Sequence, residues 1–260
     1  MNTKKQWFIF CQDELLLQKI NGEFCVPFQE EPPVATAVWT TIIEPADGYA
    51  TFSISSPVLE NENFAMLGLR KTYDVLNEHD YLIAGKCREM LYWDLSNKYC
   101  GCCGGPMKFN SPISKKCTMC GKELWPNVAV ATIVLIRKDN KILMVHAHNF
   151  RNAKTFGLVA GFVETGETLE ECVMREAQEE TGIKIKNLKY FGSQPWPYPC
   201  GLMVGYYADY EEGEIHLQRS ELSNGGWFDK EHLPDLPQKL SIARKLIDAW
   251  IENRLEEGMK

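Results

Sequence analysis

Two groups of side chains in this 260-residue chain have the types and spacing that chemistry needs. The first is a set of glutamates. Between Thr168 and Gly182 the sequence carries Leu169, Cys172 and Val173, and then Glu176, Glu179 and Glu180. At about 100° per residue these six fall within roughly 60° of Glu176 on a helical wheel, while Glu170, Glu171, Gln178 and Thr181 fall on the opposite, solvated side. The stripe that begins as a core face therefore continues as three carboxylates. Carboxylates withdrawn from water repel one another and take up protons unless a cation compensates them. Oxygen-only ligation suits Mg2+ or Mn2+, hard ions that keep water and engage phosphate. Upstream, Gly161-Phe-Val-Glu-Thr-Gly166-Glu167 is a glycine-bounded loop entering this helix. A strand–loop–helix unit with inward carboxylates is compatible with metal-assisted attack on a phosphoanhydride.

The second group is sulfur. Cys100/Cys103 and Cys117/Cys120 form two Cys-x-x-Cys pairs with 13 residues between them. Two residues between cysteines let a tight turn aim both thiolates at one ion, and two such turns complete a tetrahedron, so the pattern reads as zinc. Gly104 and Gly121 follow each pair, where the turn calls for a positive φ. Four thiolates close the coordination sphere, so this zinc is expected to be structural. Cys102 is left out because Cys100/Cys103 matches the spacing of the second pair.

The elements that must hold these groups fall into three segments. Residues 1–95 contain short strand-like runs such as Trp7–Cys11 and Tyr49–Ile54, then a helical stretch near Ala84–Leu95 where Cys87, Met90, Leu91 and Leu95 repeat at roughly helical spacing. Residues 96–126 form the cysteine-rich ribbon; five lysines against the single acid Glu123 lie between Lys98 and Trp125, and are read as solvated. Residues 127–260 alternate strands and helices. A hairpin is expected from Val128–Ile136 and Lys141–His146 across Lys138-Asp139-Asn140. A strand ending at Ala160, a helix over about 168–181 with the capping box Thr168/Glu171 and the C-cap Gly182, strands near 187–193 and 201–209, and a helix from Ser241 to Leu255 follow.

Composition bounds the function. The chain is 45% hydrophobic and 24% charged, which excludes disordered and collagen-like classes. No apolar run approaches the ~20 residues of a membrane helix, and the N-terminal apolar stretch is too short for a signal peptide, so no membrane partner and a cytoplasmic location are expected. A net charge of −7 provides no protein-wide positive field for nucleic acid.

Gly161 to Ile183 reads G-x5-E-x7-R-E-U-x-E-E-x-G-U, with U apolar, through Gly161, Glu167, Arg175-Glu176-Ala177, Glu179-Glu180 and Gly182-Ile183. This resembles the Nudix box. Ser193-Gln194-Pro195-Trp196-Pro197-Tyr198-Pro199 resembles the SQPWPFPxS signature of the Nudix NADH pyrophosphatases, which also carry a four-cysteine ribbon before the Nudix domain. The resemblance implies an α+β chain: a Nudix α/β/α sandwich (127–260) preceded by the zinc ribbon (96–126) and a smaller mixed N-terminal domain (1–95). It implies hydrolysis of the pyrophosphate of NAD(H) to NMN(H) and AMP, and removal of NAD caps from RNA 5′ ends, by a cytoplasmic homodimer. The dinucleotide is then substrate rather than redox partner, in keeping with a chain that has no clear GxGxxG fingerprint.

Carried over by position, the resemblance gives Glu176, Glu179 and Glu180 as catalytic metal ligands, joined by the Ala160 carbonyl and by Glu221, six residues before Trp227. Arg175 is expected to hold the loop through Glu167. Substrate contacts fall to Arg70, Trp125, Phe162, Gln194, Pro195, Trp196, Pro197, Tyr198, Pro199 and the Ala243 backbone, with Phe162 and Trp196 stacking on nicotinamide or adenine. The sequence departs from the signature at Tyr198, which keeps a ring in place of Phe, and at Gly201, which lacks the hydroxyl of the final Ser. Leu124-Trp125-Pro126 stands where relatives often carry Tyr-Pro. Two alternatives stay open: another dinucleotide substrate such as ADP-ribose or a diadenosine polyphosphate, and a nucleotide-sensing module without catalysis.

Overall fold

The computed structural model describes residues 4–37, 40–150 and 152–259. The chain forms two compact units, residues 1–128 with Trp196–Cys200, and residues 129–195 with 201–260.

In the first unit the order is β1 (Lys5–Cys11), β2 (Glu14–Ile20), β3 (Glu23–Cys25), β4 (Phe28–Gln29), β5 (Ile43–Ala46), β6 (Tyr49–Ser53), β7 (Phe64–Gly68), α1 (Leu69–Thr72), α2 (Glu78–Ser96), β8 (Met107–Ser111), β9 (Ser114–Cys117) and β10 (Glu123–Leu124). The first seven strands make one sheet along β3-β2-β1-β6-β5, with β1 parallel to β6. Its central strands are apolar on both faces because both faces are covered. Phe8, Phe10, Leu15 and Leu17 pack in the cluster that contains α2, and Trp7, Ile9 and Leu16 alternate into the cluster opposite. Helix α2 begins at Glu78, earlier than the apolar repeat indicates, because Asn77 caps it by accepting from the Asp80 N–H. Leu95, expected on the repeat, is exposed.

Strands β8–β10 form the ribbon sheet. One of its lysines departs from the solvated reading. Lys115 on β9 is buried against α2, where its ammonium bonds the Asp94 carboxylate at 2.6 Å and the carbonyls of Asp94 and Asn97 at 2.9 and 3.0 Å. Those carbonyls lie at the C-terminal end of α2, where helices leave acceptors unpaired and favour a cation.

The second unit contains β11 (Ala129–Lys138), β12 (Lys141–Ala147), β13 (Val159–Phe162), α3 (Leu169–Thr181), β14 (Lys184–Trp196, its last residue in the first unit), β15 (Gly201–Glu212), β16 (Leu222–Asp229) and α4 (Ile242–Ile251). The sheet runs β14-β15-β11-β12-β16, with β13 on β11. Strand β11 pairs β15 in parallel from Ala129↔Gly201 to Arg137↔Asp209, which needs a crossover connection; β13, α3 and β14 supply it. The β11–β12 hairpin closes on a two-residue turn after the Lys138↔Lys141 pair, with Asp139 at φ 51°. Val134 and Ile136 of β11 pack on the α3 face, and Ile133 and Leu135 on the α4 face. The result is a sheet between helices, the α/β/α sandwich expected. Leu246 and Ile247 of α4 are fully buried, worth about 1.5–3 kcal/mol each. Helix α4 stops at Ile251 rather than Leu255, the chain turning at Asn253 (φ 57°) into a short 3-10 turn, Leu255–Glu257. Among the described residues no helix is long and apolar enough to cross a membrane.

Candidate active site

Helix α3 starts as the sequence indicates. The Thr168 side chain accepts from the Glu171 N–H while the Glu171 carboxylate accepts from the Thr168 N–H, and Gly182 ends the helix at φ 73°. Its carboxylates are graded in burial. Glu180 is 4% exposed, the Glu176 side chain 13% and the Glu179 side chain 56%, so the inward stripe is two carboxylates with a third at its rim. Thr181, expected on the solvated side, is buried, its hydroxyl donating to the Ala177 carbonyl.

Arg175 organises the loop. Nε and Nη2 form a two-pronged pair with Glu167 at 2.7 and 3.0 Å, Nη1 reaches Glu176 at 2.8 Å and Glu179 at 3.1 Å, and Nη2 also donates to the Phe162 carbonyl. The expected Arg175–Glu167 pair is therefore present, and Arg175 holds the Glu167 carboxyl down at about 2. Glu176 rests directly on Gly161: a Cβ built there would lie 1.9 Å from Glu176 Cδ and Oε1. Only a residue without a side chain permits that approach, a requirement the sequence reading did not draw from this glycine.

Strand β13 offers its backbone to the same place. The Val163 N–H donates to the Val130 carbonyl, which sets the ladder so that Ala160 and Phe162 turn their N–H and C=O groups away from β11. The Phe162 carbonyl meets Arg175, and the Ala160 N–H faces Glu180. Glu221 arrives from the other side. Gln218 N–H donates to the Glu180 carbonyl at 2.9 Å and His148 N–H to the Glu221 carbonyl at 3.0 Å, so the residue just before β16 is fixed beside Glu180.

Burial first, and then the charges of Glu176 and Glu221, raise the Glu180 carboxyl from 4.5 to about 8. Desolvation raises Glu176 in the same direction against the pull of Arg175. Glu180 Oε2 is buried with no hydrogen-bond partner among the described residues. A buried, unpartnered carboxylate oxygen, on a carboxyl repelled by two further carboxylates, is chemistry that suits a hard divalent cation.

These shifts dictate a pH dependence. A carboxyl with a raised folded-state pKa stabilises the fold below its unfolded value, and that stability is lost as pH rises through the folded value. Protein without added Mg2+ or Mn2+ is therefore expected to lose melting temperature between about pH 5 and pH 8. Glu180→Gln should flatten that slope, and added Mn2+ should raise the melting temperature most at the alkaline end. Thermal melts across this range check it; an unchanged slope in the variant contradicts it.

The sulfur site is in the first unit. The four Sγ atoms of Cys100, Cys103, Cys117 and Cys120 lie within 4.8 Å of one another, with Cys100–Cys120 at 3.7 Å and Cys103–Cys117 at 3.5 Å. Zinc–sulfur bonds of about 2.3 Å in a tetrahedron separate sulfurs by about 3.8 Å, so the donors fit zinc. Gly104 and Gly121 have φ of 71° and 74°, as the turns call for. The Cys120 and Met119 N–H groups point at Cys117 Sγ and lower that thiol to about 6. Cys102 is exposed and faces Lys122 Nζ at 3.1 Å. Metal analysis should find one zinc per chain in wild type and in Cys102→Ser, and a loss of zinc in Cys117→Ser.

The remaining candidates separate by unit. In the second, Phe162 is 66% exposed and open to a ligand. Ala243 lies in the first turn of α4, among N–H groups without an intrahelical partner. Gln194 has a structural partner set of its own. It is buried, its Nε2 donating to the Leu240 carbonyl and its Oε1 accepting from the Ile242 N–H, both at 2.6 Å, so its amide fastens β14 to the start of α4. Gln194→Ala should cost on the order of 3 kcal/mol, since two buried backbone groups lose their partner; denaturant unfolding measures it.

In the first unit, Trp125 is 54% exposed and Trp196 half-buried. The rings of Trp196 and Tyr198 meet edge to face at 5.1 Å, and the Arg70 guanidinium lies 3.8 Å from the Tyr198 ring and 4.9 Å from the Trp196 ring. Pro195 and Pro199 are exposed. Pro197 is buried and Tyr198 packs against the core cluster of α2, so these two of the proposed contacts face protein.

Residues 125–250 match the family model of the NUDIX domain, and residues 4–93 that of the NADH pyrophosphatase-like rudimentary NUDIX domain. The chain is 43% identical over 181 residues to a Haemophilus influenzae (strain PittGG) protein named NAD-capped RNA hydrolase NudC, covering 68% of this chain and 69% of that one. It is 39% identical over 165 residues to a protein of the same name from Chromobacterium violaceum, covering 63% and 62%. The crystal structure of a NUDIX hydrolase from Nitrosomonas europaea superposes with a TM-score of 0.53 at 19% identity, covering 62% of this chain and 94% of that one, a likeness of fold.

Proposed function

The chain belongs to the Nudix hydrolase family, and from that premise we propose that it hydrolyses the pyrophosphate of NAD(H) to NMN(H) and AMP and removes NAD caps from RNA 5′ ends. The observation that carries the hydrolytic reading is the buried, unpartnered Glu180 Oε2 on a carboxyl that also feels the charges of Glu176 and Glu221. The substrate class is supported by the Ser193–Pro199 signature, by the matched NADH pyrophosphatase-like domain and by the names of the relatives.

Nudix hydrolases need divalent metal, and here Glu176, Glu179, Glu180, Glu221 and the Ala160 carbonyl would hold Mg2+ or Mn2+. When bound, such a cation polarises phosphate oxygens and lowers the pKa of a coordinated water. The protein's own part is positional. Gly161 and Arg175 fix the Glu176 carboxylate from two sides. The Glu167–Arg175 pair, with Glu167 also accepting the Glu164 N–H, ties the loop to α3. Water attacks one phosphorus, a carboxylate of the set accepts its proton, and the bond to the bridging oxygen breaks in line, with the developing negative charge stabilised at the site. Phe162, Trp196 and Trp125 are the exposed or half-exposed rings offered for stacking on nicotinamide or adenine. Arg70 is exposed and makes no ion pair among the described residues, which suits it to a phosphate. The Ala243 backbone completes the proposed contacts.

Residues 1–95, 96–126 and 127–260 serve as the working domain division, supported by the limits of the two family matches. Structural Zn2+ in the ribbon, a homodimer and a cytoplasmic location belong to the same proposal. Incubation of NADH with the protein and Mn2+ tests the function: AMP and NMNH should appear in equal amounts. Binding of NADH with no product would favour a nucleotide-sensing module.

A further inference from the structure

The signature begins on β14 and is poorly equipped to hold itself beyond it. Pro197 and Pro199 lack the N–H that a sheet ladder would use. There a bond from the Tyr198 N–H to the Trp196 carbonyl at 2.7 Å folds the chain back, and the two rings meet edge to face. Past β14, placement of the loop draws on side-chain contacts.

Those contacts come from α1 and α2. Pro197 lies against Gly85 in the interior of α2, where a Cβ would sit 3.0 Å from Pro197 Cγ. Glycine in a helix interior is costly relative to alanine, and this close approach accounts for it. One turn earlier on the same helical face, Tyr81 places its hydroxyl 3.1 Å from the hydroxyl of Tyr198. That phenol oxygen is absent from the Phe of the SQPWPFPxS pattern, so the departure at 198 has a partner in this chain. Arg70 of α1 covers the other aspect of the Tyr198 ring and reaches the Trp196 ring.

We propose that α1 and α2 form a seat for the Trp196 loop, with Tyr81 and Gly85 as positioning residues that set where the Trp196 ring meets a substrate base. Tyr81 and Gly85 then tune dinucleotide affinity through Trp196 without themselves touching substrate. This rests on the reading of Trp196 as a base-stacking residue.

The test is steady-state kinetics on NADH with the full chain, zinc and Mn2+ present. Tyr81→Phe and Tyr198→Phe should each raise KM about fivefold with kcat within twofold, and the double variant should be no worse than either single, because one contact is lost in all three. Gly85→Ala, which pushes Pro197 by a few tenths of an ångström, should also raise KM, and should add nothing in a Trp196→Ala background. A full additional effect in that background, or a fall in kcat and melting temperature at unchanged KM, would show that the contacts support only the fold and would overturn the proposal. If wild type leaves NADH intact but splits ADP-ribose, the substrate reading fails on its own, and the same cycle on ADP-ribose decides the seat.

Discussion

Glu180→Gln is expected to lower kcat for NADH hydrolysis on the order of 10³-fold, with the circular dichroism spectrum unchanged. The substitution keeps the shape of the side chain and removes its charge. In the folded protein that charge is confined by burial and repelled by Glu176 and Glu221, and Oε2 has no donor among the described residues. An amide there cannot answer a divalent cation as a carboxylate does. The unliganded fold should in fact gain stability at pH 8, because the glutamine removes an uncompensated buried charge. Loss of activity with gain of stability is a signature that a merely structural glutamate would not give. Glu179→Gln provides the contrast: its carboxylate is half exposed and shares Arg175, so a smaller loss is expected.

Gly161→Ala is the second large effect. A single methyl group would be placed 1.9 Å from the Glu176 carboxylate, well inside van der Waals contact, and either β13 or the carboxylate must move. Displacement of a catalytic group by about 1 Å costs on the order of 10²-fold in rate. Because Arg175 ties Glu176 to Glu167 and to the Phe162 carbonyl, the shift should spread into the loop. A measured kcat within threefold of wild type would mean that Glu176 tolerates relocation and does not work from the position described.

Much of this site is written in local spacing, which is why it can be read from the sequence. The three-residue and four-residue steps from Glu176 to Glu179 and Glu180, the Thr168/Glu171 box and the two Cys-x-x-Cys turns each act within a turn or two of backbone. What was not legible depends on distant pairing. Glu221 is named by the resemblance, but the backbone bonds from Gln218 and His148 that set it beside Glu180, and β16 after it, have no local signal. The clamp that Gln194 makes is equally hidden in the signature, because Leu240 and Ile242 offer it one acceptor and one donor from more than forty residues away. Lys115 reads as a surface lysine until the C-terminal end of α2 is placed beside β9. The graded burial of Glu176, Glu179 and Glu180 likewise depends on how α3 sits on β13, which a helical wheel does not contain.

The central claim is that this chain cleaves the pyrophosphate of NAD(H). The most direct test compares kcat/KM for NADH, ADP-ribose and a diadenosine polyphosphate in Mn2+, with Glu180→Gln alongside and products resolved by chromatography. The account predicts NADH as the preferred of the three, AMP and NMNH as its products, and almost no turnover by the variant. Intact NADH beside rapid cleavage of ADP-ribose would contradict it, with Gly201 in place of the signature serine the first residue to restore.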